Sequence, residues 1–205
     1  MIAWMMGKTT HVFGIIGNLN GIPPMKHFTN LITDILNEEH KTYQQGVYIS
    51  TDLYHGTQDI TNIKKYIKDI FNITLKEHKL HCTLIYSKKD HTKLKVSELN
   101  LDPKKKFNST IKEVTVWQDN NNISYLGIKL DSKDLVDENT RLMKFGFVSD
   151  FDSYMPHITL QYDTKLNLDT DKELFKEVNE YFKDKNYTII FHNEHIEPLD
   201  EQWGE

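Results

Sequence analysis

The sequence predicts an α+β domain built from two similar antiparallel-sheet and helix halves facing each other across a central cleft. Three observations carry this. The pattern His-x-Thr-Leu-x-Tyr occurs twice, at His81–Tyr86 and at His157–Tyr162. Each copy has strand character and follows a segment with helical periodicity. The segments run strand, helix, motif strand, strand, strand, helix, motif strand, helix, strand, which suggests two similar halves that each combine strands and helix.

In chain order, residues 1–45 differ from the rest. They hold Gly7, Gly14, Gly17, Gly21 and Pro23-Pro24, then a helical pattern from about Lys26 to Lys41 in which Phe28, Leu31, Ile32, Ile35 and Leu36 recur on one side. This stretch is expected to be an N-terminal extension of a main domain at 46–205. Gly7-Lys8-Thr9-Thr10 resembles the end of a phosphate-binding loop, but Ile2 stands where that motif needs its first glycine, and no strand fits before it. Gly46–Ser50 reads as a strand, and Thr61–Phe71 as an amphipathic helix through Ile63, Tyr66, Ile67 and Ile70. The first motif strand comes next. Residues 107–117 and 123–130 read as two strands joined at Asp119–Asn122. Lys133–Phe145 reads as a helix with Leu135, Leu142 and Phe145 on one side, and the second motif strand follows Pro156. A third helix is expected at Lys172–Lys183, a strand at Tyr187–Phe191, and a polar tail from Asn193 to Glu205 that includes Trp203.

With 205 residues the chain is long enough for one domain with a real core. A formal net charge of −5 and a pI near 6.1 argue against binding along a long nucleic acid and favour a small anionic ligand held by local groups. A single cysteine excludes an intramolecular disulfide and a multi-cysteine metal site, and agrees with a reducing, cytoplasmic setting. No stretch approaches the roughly 20 apolar residues that span a bilayer. Met1–Met6 lacks the pattern of a signal peptide. Nothing in the composition speaks to oligomeric state.

In a regular strand, residues two apart share a face, so His81 and Thr83, like His157 and Thr159, point into the cleft. The alternate residues Cys82, Leu84 and Tyr86, and Ile158, Leu160 and Tyr162, are expected in the core. Two histidines converging on one site suit cleavage of a phosphodiester beside a free ribose 2′-hydroxyl. One neutral imidazole removes the 2′-OH proton while an imidazolium protonates the departing 5′-oxygen. The threonine hydroxyls can donate to the non-bridging phosphate oxygens. Neither metal nor cofactor is required, and with Cys82 facing away the pattern lacks the further ligands a two-histidine metal site would want.

The two motifs, in this order and at this separation, resemble the two-histidine (2H) phosphoesterase superfamily. Within it the chain resembles phage anti-CBASS nucleases, which cleave cyclic di- and trinucleotide messengers of bacterial antiphage signalling. The resemblance covers about residues 45–205. It rests on Leu80–Ser87, Pro156–Leu160, the strand with Tyr48 and a C-terminal Glu197 followed by Trp203. It implies a bilobal α+β fold, a metal-independent phosphodiesterase, and His81, Thr83, His157 and Thr159 as the catalytic quartet. It further implies Tyr48 and Trp203 as aromatics stacking on nucleobases and Glu197 as a carboxylate contacting a base or ribose, with Trp117 a further stacking candidate. Each has a plainer reading: Tyr48 and Trp117 as packing residues, Glu197 and Trp203 as parts of a solvated tail. Lys88-Lys89 and Lys104–Lys106 either steer an anionic ligand or are solvated loop charge. If the chain is phage-encoded, its site of action is the cytoplasm of the infected bacterium. Two other activities fit the motifs: processing of RNA 2′,3′-cyclic phosphate ends, and cleavage of 2′-5′ oligoadenylate. A binding module that only sequesters cyclic nucleotides is a third possibility.

Overall fold

A computed structural model describes residues 43–55, 57, 59–119, 122–149 and 153–199. Residues 1–42 of the expected N-terminal extension, its helix included, and Trp203 lie outside the described residues. Within them the fold is α+β. Six strands, β1 (Val47–Leu53), β2 (His81–Ser87), β3 (Phe107–Gln118), β4 (Ser124–Asp131), β5 (His157–Tyr162) and β6 (Thr188–Pro198), form one sheet in the order β2-β1-β6-β3-β4-β5. Every neighbouring pair is antiparallel.

Among the described residues three helices cover the sheet: α1 (Asp59–Phe71), α2 (Lys133–Met143) and α3 (Lys172–Lys183). Helix α1 buries Ile63, Ile67 and Phe71, and α3 buries Phe175, Val178 and Phe182. Their apolar faces meet through stacked Tyr66 and Tyr181, whose ring centroids are 3.6 Å apart, and through Phe71 against Phe175. Helix α2 starts at Ser132, whose Oγ accepts from the Leu135 N–H at 3.2 Å, a serine N-cap. It ends before Phe145, which is 38 % exposed instead of joining Leu135 and Leu142 in the core, while Phe147 is buried. The short 3₁₀ turn Val96–Leu99 was not evident in the sequence; it buries Leu99.

The connections mirror one another. Helix α1 lies between β1 and β2 in the chain, and α2 between β4 and β5, while β6 and β3 meet at the middle of the sheet. The two motif strands are therefore its two outer edges. They nonetheless contact one another, so the sheet curls until its edges face across the cleft.

Two expectations are corrected. The polar residues after Phe191 continue a central strand to Pro198, paired with β1 from Val47↔Pro198 to Leu53↔Phe191. Asn193, with φ +57°, supplies the left-handed residue where that pairing shifts. Second, Tyr86 and Tyr162 do not join Cys82 and Ile158 in the core. In β2 the pairing steps from Ile49↔Ile85 to Ser50↔Thr83, leaving Leu84 without an opposite residue; in β5 it steps from Leu126↔Gln161 to Gly127↔Thr159, leaving out Leu160. A bulge at the leucine of each motif reverses the parity of the residues beyond it. Tyr86 then stands opposite Tyr48, with the rings edge-on at 6.4 Å, and Tyr162 is 47 % exposed.

Candidate active site

The alternation preceding the bulge places His81 and Thr83 on one face of β2, with Cys82 and Leu84 buried, and likewise His157 and Thr159 on β5, with Ile158 and Leu160 buried. Both imidazoles are anchored alike. Nδ1 of His81 lies 3.4 Å from the carbonyl oxygen of Lys79, and Nδ1 of His157 lies 2.9 Å from that of Met155. A carbonyl only accepts, so Nδ1 carries the proton, and in the neutral ring Nε2 keeps its lone pair. Burial lowers the pKa of both rings. For His81 the Lys79 carbonyl and the Asp52 carboxylate act in the opposite direction, and the nearby His78 and His157 add to the lowering.

The halves differ in what opposes each histidine. Asp52 stands opposite His81, whereas Lys129 stands opposite His157. Asp52 is itself well held: burial alone would raise its pKa, but hydrogen bonds from Lys79 and Asn193 outweigh that and keep it below the usual carboxylate range. Lys129 is tied to Glu113 at 2.8 Å.

Each imidazole also meets an aromatic edge. Tyr48 lies 5.9 Å from His81 with the planes at 84°, and its hydroxyl is 2.9 Å from Thr83 Oγ1. Burial pushes the Tyr48 phenol far above its ordinary value, so it stays protonated. At 5 % exposure Tyr48 is a floor residue that braces the threonine, with little ring surface open to stacking. Trp117 lies 5.0 Å from His157 at 81°. It reaches across β4 because position 127 is glycine: a Cβ there would stand 2.4 Å from Trp117 Cη2 and 2.4 Å from the Ile158 carbonyl oxygen. Beside them a cavity of about 320 Å³ is bounded by Thr83, Tyr86, Trp117, Lys129, Tyr154 and His157, drawn from both halves.

Glu197 stands opposite Tyr48 on β6, 48 % exposed at its side chain. Its neighbour on the same face is His195, 4.0 Å away, whose Nδ1 donates to the Asn193 carbonyl at 2.8 Å and whose Nε2 meets Ser50 Oγ at 3.2 Å. The motifs alone do not single out Asp52, Ser50, His195 and Lys129. A signal for the first three was present in two period-two polar runs, Tyr48-x-Ser50-x-Asp52 and Asn193-x-His195-x-Glu197, the second hidden in an apparent tail. Of the lysine runs, Lys105 pairs with Glu138 and Lys106 sits 4.3 Å over the Tyr54 ring, so these two serve the scaffold; Lys88 lies 5.6 Å from the Tyr86 ring. Among the described residues no three His, Cys, Asp or Glu side chains are grouped to hold a metal ion, and no helix is long and apolar enough to cross a membrane.

Comparison with known proteins gives a family whose profile, described as "Anti-CBASS protein Acb1", matches residues 45–205. A Vibrio phage KVP40 protein named "Anti-CBASS protein Acb1" is 26 % identical over 163 residues, covering 78 % of this chain and 91 % of that protein. A protein of Acinetobacter phage Ac42 with the same name is 28 % identical over 159 residues, covering 78 % of this chain and 94 % of its own length.

Proposed function

This chain belongs to the anti-CBASS protein Acb1 family, and from that premise we propose that it is a metal-independent phosphodiesterase opening 3′-5′ linkages of cyclic di- and trinucleotide messengers, such as 3′,3′-cyclic GMP-AMP. The action defeats CBASS signalling in the cytoplasm of an infected bacterium. The observation that carries the reading is the convergence of two identically anchored His-x-Thr pairs from opposite sheet edges on one cleft. The mirrored strand order and the repeated bulge favour a bilobal two-histidine phosphoesterase domain at 46–205, with residues 1–45 as an addition to it.

The asymmetry of the opposing residues supports one division of roles. His157, half-buried and opposite a lysine, is the neutral base; His81, whose imidazolium is favoured by Asp52, is the acid. His157 Nε2 takes the 2′-OH proton as the 2′-oxygen bonds to phosphorus. The bond to the 5′-oxygen breaks, and His81 Nε2 gives that oxygen its proton. The product is linear, with a 2′,3′-cyclic phosphate and a 5′-hydroxyl. Thr83 and Thr159 donate to the non-bridging oxygens as charge shifts onto them. Tyr48, kept protonated, shares a 2.9 Å hydrogen bond with Thr83 Oγ1 in which either hydroxyl can donate; when the phenol donates, the threonine hydrogen is free for the phosphate and the chain of bonds is strengthened. Trp117, Glu197 and Trp203 supply base and ribose contacts.

The test is incubation of the protein with 3′,3′-cyclic GMP-AMP in excess EDTA, with products followed by chromatography and mass, beside a His81→Ala/His157→Ala variant. Linear product from the wild type alone is expected. Intact, unbound ligand would refute the reading in favour of RNA-end or 2′-5′ substrates, and ligand bound but uncut would refute it in favour of a sequestering module.

A further inference from the structure

The motif strands are the outermost strands of the sheet, so the backbone ladder does not set the distance between them. An edge strand leaves carbonyl groups that need partners. Here the carbonyl of each motif threonine is met from the opposite half. His78 precedes His81 by three positions, and its Nε2 lies 2.9 Å from the Thr159 carbonyl oxygen. Tyr154 precedes His157 by three positions, and its hydroxyl donates to the Thr83 carbonyl oxygen at 2.9 Å. The contacts are reciprocal, from the same motif position to the same motif position.

We propose that His78 and Tyr154 are positioning residues that form a reciprocal latch across the two sheet edges and set the separation of His81 and His157. Both donors are themselves braced. His78 Nδ1 also faces a carbonyl, that of Lys76 at 3.1 Å, and because a carbonyl only accepts, both bonds form together only in a ring with a proton on each nitrogen; the ring meets the edge of Tyr162 at 5.6 Å. The Tyr154 oxygen lies 3.6 Å from Cys82 Sγ, and burial keeps the phenol protonated. The bonded carbonyls belong to Thr83 and Thr159 and directly precede the bulged leucines, where a strand departs from regular pairing. Movement of either edge away from the other breaks both bonds and carries one His-x-Thr pair out of reach of the shared phosphate.

The kinetic part of the test rests on the phosphodiesterase reading; the spectroscopic part does not. Because a carbonyl only accepts, long-range ¹H–¹⁵N imidazole spectra of the full chain are expected to show a proton on His78 Nε2. A ring protonated on Nδ1 alone overturns the latch. Amide exchange is expected to rise in both β2 and β5 in Tyr154→Phe and in His78→Ala; a rise confined to the mutated half overturns it. These two readouts decide the latch even if the wild type proves inactive, which would refute only the activity. With activity, each variant is expected to lower kcat about tenfold to a hundredfold with KM nearly unchanged, as a misplacement of about 1 Å does. His78→Gln, which retains an N–H donor, is expected to recover most of the loss. The double variant is expected to lose less than the product of the single losses, since either break opens the same gap. Folded single variants with wild-type kcat, equal losses in Gln and Ala, or multiplicative losses would each overturn the latch.

Discussion

Gly127→Ala tests how the scaffold places the second histidine. The new methyl would stand 2.4 Å from the Ile158 carbonyl oxygen and 2.4 Å from Trp117 Cη2, each about 1 Å inside ordinary contact. The tryptophan can swing aside, but the carbonyl belongs to the backbone of β5, between His157 and Thr159. Relief therefore requires β4 and β5 to part, or Trp117 to leave His157 and the β5 backbone to tilt. Overpacking of this kind costs about 1–3 kcal/mol, read as a fall in the urea midpoint with an unchanged slope. A shift of about 1 Å at the reacting group costs up to about a hundredfold in kcat. In a Trp117→Leu background the stability loss is expected to shrink without vanishing, because the Ile158 clash persists. Wild-type midpoint and kcat in Gly127→Ala would refute the claim that glycine is what lets Trp117 lie against His157.

Three further outcomes are expected. In Asp52→Asn the imidazolium of His81 loses its carboxylate, so its pKa falls and the alkaline limb of the kcat/KM–pH profile moves to lower pH while the acid limb, set by His157, stays; an unmoved alkaline limb counts against His81 as the acid. Tyr48→Phe removes one hydrogen bond to Thr83, worth about 0.5–1.5 kcal/mol, so kcat is expected to fall about two- to tenfold with substrate affinity retained; a loss confined to KM would make Tyr48 a binding residue instead. Glu194, buried beside Glu138, has its carboxyl pushed up to about 7, chiefly by burial, with the Asp102 N–H opposing and Glu138 reinforcing the rise. A carboxyl whose folded pKa is raised contributes stability that is present at low pH and lost as pH rises through about 7. Glu194→Gln is therefore expected to gain on the order of 1–2 kcal/mol relative to wild type at pH 8 but not at pH 5 once screening is allowed for, and urea melts showing the same difference at both would refute this.

The features legible in the sequence are those set by short-range periodicity. The motif strands, the faces of His81 and Thr83 and of His157 and Thr159, the three helices and the β3–β4 turn all follow from alternation, helical spacing and turn residues within a dozen positions, and the structure has them where expected. The tertiary structure decided whatever depends on a partner strand. Period-two reasoning assumes unbroken pairing, and the bulges at Leu84 and Leu160, visible only against β1 and β4, turn Tyr86 and Tyr162 to the other side. The polar run after Phe191 becomes a strand because β1 offers it a ladder and the cleft solvates His195 and Glu197, while Glu194 is buried among Asp102, Glu138 and Arg141. The two motif histidines sit in matching local sequence patterns and are told apart by the residues opposite them, Asp52 and Lys129, and by the aromatic edges that meet them, Tyr48 and Trp117. That difference lies in register across neighbouring strands, so it exists only once the sheet has formed.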